Sequence, residues 1–142
     1  MADKGPTLAG VKSFLAYRGM TISKKDGEYR VNFADKDGIE DNAYYTNDLA
    51  DAQDSGEAMA TARYVRNEDA WKTWPRCPLK RKPKGGTGTE PYECATLIKS
   101  GEGATAVYVV YLVTMFQAIT DDTKEIRYAT EHQLVADGWK VD

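Results

Sequence analysis

Between residues 34 and 57 the chain reads ADKDGIEDNAYYTNDLADAQDSGE. Eight carboxylates, Asp35, Asp37, Glu40, Asp41, Asp48, Asp51, Asp54 and Glu57, stand there against one cation, Lys36, a net charge of −7. Carboxylates at this density suit calcium chelation, acid–base catalysis or recognition of a cationic partner. An EF-hand loop needs oxygen ligands at positions 1, 3, 5 and 12, and a glycine at position 6 to close the bend. Counted from Asp35, those last three places hold Ile39, Thr46 and Glu40, so the cage fails and neither metal nor other cofactor is expected. Asp48 and Asp51 fall at a helix start, where they favour the helix dipole without any catalytic role. A cysteine or serine nucleophile needs a base, and the one histidine, His132, could serve only Cys94. Nothing in the sequence brings that pair together, and a surface histidine beside a core cysteine is the simpler account. KGGTGTEP lacks the Gly-Lys-Ser/Thr ending of a phosphate-binding loop. The chain is therefore expected not to be an enzyme.

The opposite charge gathers further on. Lys72, Arg76, Lys80, Arg81, Lys82 and Lys84 are six cations with no acid between them, interleaved with Trp74 in WKTWPRCPLKRKPK. Aromatics can stack on bases while lysine and arginine neutralise phosphates. The same segment could meet an acidic protein surface, or Trp71 and Trp74 could anchor the core and leave a solvated basic tail. Trp74, Arg76, Lys80, Arg81, Lys82 and Lys84 are the candidate residues for a partner or nucleic acid.

These residues need elements to position them. The 142-residue chain matches one domain or two very small ones, with a net charge of −3 that by itself selects no partner. Thr7 caps a helix with Leu8, Val11, Phe14 and Leu15 at helical spacing, ended near Gly19. Met20 and Ile22, then Tyr29, Val31 and Phe33, alternate across Asp26-Gly27, the clearest hairpin signal in the chain. A turn at Asp37-Gly38 leads to a strand over 43–46. Thr46 or Asn47 then caps a helix with Leu49, Ala52, Gly56 and Met59 on one face. Alternation along that strand allows only one of Tyr44 and Tyr45 to point outward. Pro75, Pro78, Pro83, Pro91 and three glycines make 75–91 a basic loop. Strands follow over 92–99, 104–118 and 124–129, and then a short helix capped by Thr130 and ended by Gly138. The expected fold class is α+β: an αβββα lobe over 1–70, a basic Pro/Gly-rich loop over 71–91, and a mostly antiparallel β lobe with a short C-terminal helix over 92–142.

Cys77 and Cys94 are too few for a disulfide framework and too widely spaced for a CxxC pair. MADKGPTLAG lacks the basic and then apolar run of a leader. The longest apolar stretch, 107–119, is interrupted by Thr114 and Gln117 and falls short of the roughly 20 residues of a membrane span. The expected location is the cytoplasm of a bacterial host cell, away from membranes.

The αβββα order resembles that of a double-stranded RNA-binding domain over residues 7–65. That family sets lysines at the start of its second helix to grip phosphates; Asp48, Asp51 and Asp54 stand there instead, so the chemistry is inverted. YRGMTI, GEYRVNF and AYYTNDLADAQDSGEAMA are similar to a recurrent pattern in small proteins of bacteriophages and other mobile elements. The resemblance covers the first lobe alone. It implies an accessory protein, from a group in which non-enzymatic inhibitors of host defence, including anti-CRISPR proteins, are common. The expected partner is a host protein or ribonucleoprotein with a basic groove, met by Asp35, Asp37, Glu40, Asp41, Tyr44, Asp48, Asp51, Asp54 and Glu57. The rival expectation is a nucleic-acid-binding regulator that uses residues 71–84.

Overall fold

A computed structural model describes residues 6–36, 38–83, 91–101 and 105–141. It has α+β architecture, and the chain divides into two compact units, Met1–Ala60 and Thr61–Asp142.

In the first unit, α1 (Leu8–Ala16) is capped by the Thr7 hydroxyl, which accepts from the Gly10 N–H at 3.1 Å. Strands β1 (Met20–Lys25) and β2 (Glu28–Phe33) pair antiparallel with Ile22 opposite Val31. Asp26 and Gly27 both take positive φ, 54° and 80°, which is why Asp-Gly is needed at this two-residue turn. Strand β3 (Tyr44–Thr46) pairs with β2 and forms an edge of the three-stranded sheet β1-β2-β3. Helix α2 (Leu49–Arg66) follows. Its cap is Asp48, not the expected Thr46 or Asn47: the Asp48 Oδ1 accepts from Ala50 N–H at 2.9 Å and Asp51 N–H at 3.3 Å. Val11, Leu15, Met20, Ile22, Val31 and Ala52 make the core. Gly56 lets the helix approach closely, since a Cβ there would lie 2.6 Å from Leu15 Cδ2 and 3.1 Å from Val31 Cγ1.

The second unit contains β4 (Cys77–Arg81), β5 (Glu93–Ser100), β6 (Val107–Tyr111), β7 (Glu125–Tyr128), α3 (Glu131–Ala136) and β8 (Lys140–Val141). The sheet order is β7-β6-β5-β4-β8, and every pairing is antiparallel. One face carries Cys77, Leu79, Ala95, Leu97, Tyr108, Val110 and Tyr128, packed with Val65, Trp71, Leu134 and Trp139. Each side chain fully buried in such a cluster contributes about 1.5–3 kcal/mol.

Residues 77–81, expected within a basic loop, are instead a strand with neighbours on both sides. Cys77, Leu79 and Arg81 alternate inward against Pro78 and Lys80. Pro78 stands next to the described β4–β8 register, which pairs Leu79 with Val141 and Lys80 with Lys140. The long strand expected over 104–118 is limited to Val107–Tyr111. Thr114 and Gln117 break it by closing a turn: Thr114 N–H donates to Gln117 Oε1 at 2.8 Å, and Gln117 N–H to the Thr114 carbonyl at 3.2 Å. Strand β8 was not anticipated. The Asp37 half of the expected Asp37-Gly38 turn lies outside the described residues. Among the described residues, no helix is long and apolar enough to cross a membrane.

Candidate functional site

The acidic segment enters the structure as two short 3-10 turns (Ala34–Lys36 and Glu40–Asn42), the edge strand β3 and the start of α2. Asn32, fully buried, shapes the first part: its Nδ2 donates to the carbonyls of Lys36 at 2.7 Å and Ile39 at 3.1 Å. Asp35, Glu40, Asp41, Asp48 and Asp54 are exposed, and Asp51 is half-buried. Asp37 lies outside the described residues.

Glu57 corrects the expected acidic face. It is buried, 8% exposed, and its Oε2 lies 3.2 Å from Nη2 of Arg18. Along an α-helix, Asp51 and Glu57 differ by roughly 240°, so they sit on different flanks, and only Asp51 turns toward β3. Glu40 also has a cation, the Arg30 guanidinium at 3.2 Å, while the Tyr45 hydroxyl donates to its other oxygen. Glu40 and Glu57 thus each draw an arginine from outside their own segment. The charge imbalance read along the chain is partly repaired in space.

Tyr44 and Tyr45 are both exposed, at 36% and 45%, against the expectation that one would be covered. Alternation holds, with Tyr44 opposite Val31 and Tyr45 opposite Arg30. The strand is the sheet edge, so even its inward side chain reaches the rim. There the Tyr44 hydroxyl donates to Asp51 Oδ2 at 2.6 Å, and Ser55 donates to the other oxygen at 3.2 Å. The bond from Tyr44 and then one from Thr46 hold the Asp51 carboxyl below its ordinary range. The bond to Glu40 holds the Tyr45 phenol above its own. The result is an edge on which two aromatic rings are fixed in orientation by carboxylates, in a segment that also exposes Asp41, Asp48 and Asp54. Arg30 belongs to this arrangement and was missed as a site residue, and Tyr45 was weighed only as the alternative to Tyr44; the two stand opposite one another between β2 and β3.

The basic candidates separate. Arg81 is not available to a partner: it is 8% exposed, with Nε 2.8 Å from Glu93 Oε2 and Nη1 3.2 Å from Asp137 Oδ2. Its guanidinium also lies 4.1 Å from the Trp139 ring centroid. Tyr128 donates to the same Asp137 oxygen and accepts from Trp139 Nε1 at 3.0 Å. Burial, followed by the bond to Asp137, pushes the Tyr128 phenol up to about 12. This is a structural network at the end of β4. Lys80 is half-buried, with Nζ 5.3 Å from the Tyr92 ring centroid. Lys82 is exposed, Arg76 is half-buried, and Lys84 lies outside the described residues. Trp74 is 63% exposed, whereas Trp71 is buried and donates from Nε1 to the Tyr64 carbonyl at 2.9 Å.

The catalytic pairing weighed in the sequence is not brought together. Cys94 is exposed on β5, where its neighbour Ala95 faces the core that contains Leu134 of α3. His132 belongs to α3, on the other side of the sheet, and its side chain is 79% exposed. The second thiol, Cys77, is pushed up to about 12 by burial, which keeps it a neutral core group. Among the described residues, no cluster of histidine, cysteine, aspartate and glutamate could hold a metal ion. Compared with protein-family models, with curated proteins and with solved structures, the chain matches none.

Proposed function

We propose that this chain is a non-enzymatic binding protein that occupies a cationic site on a macromolecular partner with the tyrosine-edged acidic rim of its first unit. The observation that carries the reading is the pair Tyr44 and Tyr45, both exposed on an edge strand and both oriented by carboxylates. Exposed Asp41, Asp48 and Asp54 belong to the same segment and make no ion pair among the described residues. Preordered aromatic rings contribute binding energy at low entropic cost, and uncompensated charge raises association rates and selects a basic surface. Arg30 and Arg18 satisfy Glu40 and Glu57, so those two acids add least to the binding charge, and Asp41, Asp48 and Asp54 are exposed acids that keep theirs.

A groove built for nucleic acid is the cationic surface that such a rim fits best. Together with the phage-like pattern of YRGMTI, GEYRVNF and AYYTNDL, this makes the concrete form an inhibitor of a host defence nuclease or CRISPR complex. The test compares affinity capture from bacterial lysate by the parent and by an Asp41→Asn/Asp48→Asn/Asp54→Asn variant. Asn caps a helix as well as Asp, so the fold is kept. The proposal expects a nuclease or nucleoprotein to be retained by the parent and lost by the variant. Equal retention by both would remove its basis.

A further inference from the structure

The second unit exposes an aromatic surface that the acidic rim leaves unused. Phe116 is 100% exposed and Trp74 63%, whereas Trp71 and Trp139 are 5% and 1%. Neither exposed ring is on a free end. The Thr73 hydroxyl donates to the Arg76 carbonyl at 2.7 Å and fixes the turn that presents Trp74. The turn from Thr114 to Gln117 is closed by the two bonds that break the strand, and it presents Phe116. A single guanidinium joins the two turns: Arg76 Nη1 donates to the carbonyls of Met115 and Gln117, both at 3.4 Å, on either side of Phe116. Two aromatic platforms are thus pinned together by a cation whose described partners are carbonyls, so its charge is not cancelled by a carboxylate.

Lys72, two residues before Trp74, is also exposed and makes no ion pair among the described residues. The nearest acids along the two segments are Asp69 and Asp121. Phe116, fully exposed, buries nothing in this fold, and with the largely exposed Trp74 it stands on turns joined by a cation that makes no ion pair among the described residues. We infer that Trp74 and Phe116 form a stacking site for single-stranded nucleic acid, with Lys72 and Arg76 placed for its phosphates. Unstacked bases offer π-faces to both rings, which a duplex withholds. A carboxylate-rich peptide would satisfy the cations and leave both rings in water. The inference stands independently of the acidic rim.

The test titrates the full chain with oligothymidylate and oligouridylate at about 50 mM salt, following anisotropy of the labelled strand and tryptophan emission. Of the three tryptophans only Trp74 is exposed, so quenching reports on it. Saturable binding with quenching is expected, and Trp74→Ala and Phe116→Ala should each weaken it at least about fivefold. The log–log salt slope should be roughly −1.4 if Lys72 and Arg76 each neutralise one phosphate. Both side chains face solvent, so neither substitution threatens the fold; Tyr17→Ala, an exposed tyrosine of the first unit, should change nothing. Absence of saturable binding, or indifference to both substitutions, would overturn the inference. So would equal affinity for a duplex of the same length, or displacement by polyglutamate as effective as by the oligonucleotide itself.

Discussion

If Arg81 is a structural cation, replacing it must cost stability rather than affinity. Arg81→Met removes a buried guanidinium bonded to Glu93 and Asp137. The Glu93 side chain is 38% exposed and rehydrates easily, so that pair is worth about 1 kcal/mol at most. Asp137 is 25% exposed and keeps its bond from Tyr128; losing a charged hydrogen bond there costs about 1.5–2 kcal/mol. Loss of the stack on Trp139 adds about 0.5–1 kcal/mol, part of which the methionine restores by packing. The expected destabilisation is about 2–4 kcal/mol, a large share of the ~5–15 kcal/mol typical of a domain. Arg81→Lys keeps the charge without the planar fork and should lose about half as much. Urea unfolding followed by tryptophan emission reads both, because Trp139 lies against the guanidinium. A loss below about 0.5 kcal/mol for Arg81→Met, the range of ordinary surface changes, would refute the structural assignment. An equal loss for the exposed Lys82→Ala would do so too.

Gly56→Ala should destabilise the first unit by about 1–3 kcal/mol through overpacking, because the new methyl meets Leu15 and Val31; thermal unfolding measures it. Asp51 is depressed in the folded state, so its contribution is complete above the unfolded-state value and is lost as pH falls through the folded one. Tyr44→Phe should therefore raise the Asp51 midpoint, read from its carboxyl carbon by NMR, and move that loss to higher pH. Tyr128 is the opposite case: its contribution is complete below the ordinary tyrosine value and is lost as pH rises through about 12. Tyr128→Phe should remove this alkaline step from a stability-versus-pH curve and cost about 1–2 kcal/mol at neutral pH.

The readable parts of the sequence were those governed by local chemistry. Thr7, Asp26-Gly27, Thr130 and Gly138 each act through the backbone within a few residues, and the elements they bound stand where expected. Strand β4 was hidden because proline and lysine occupy its outward positions, and the pairing that satisfies it comes from β5 and β8, far along the chain. Composition said loop; tertiary pairing overrode it. The site shows the same division. Exposure of Asp41 and Asp48 follows from turn and cap positions and that of Asp54 from the outer face of α2, but removal of Glu57 and Arg81 from the candidate surfaces depends on distant partners. Arg18, Glu93 and Asp137 meet them only in the folded chain. Phe116 was overlooked because it lay in what read as a long strand over 104–118.

We propose that uncompensated aspartates on the rim of the first unit drive binding to a basic partner. The direct measurement is calorimetric titration of the purified captured partner with the parent and with the Asp41→Asn/Asp48→Asn/Asp54→Asn variant, at low and at high salt. The parent's affinity should fall as salt rises, and the variant should bind weakly with little salt dependence. Equal affinities, or a parent whose binding ignores salt, would contradict it.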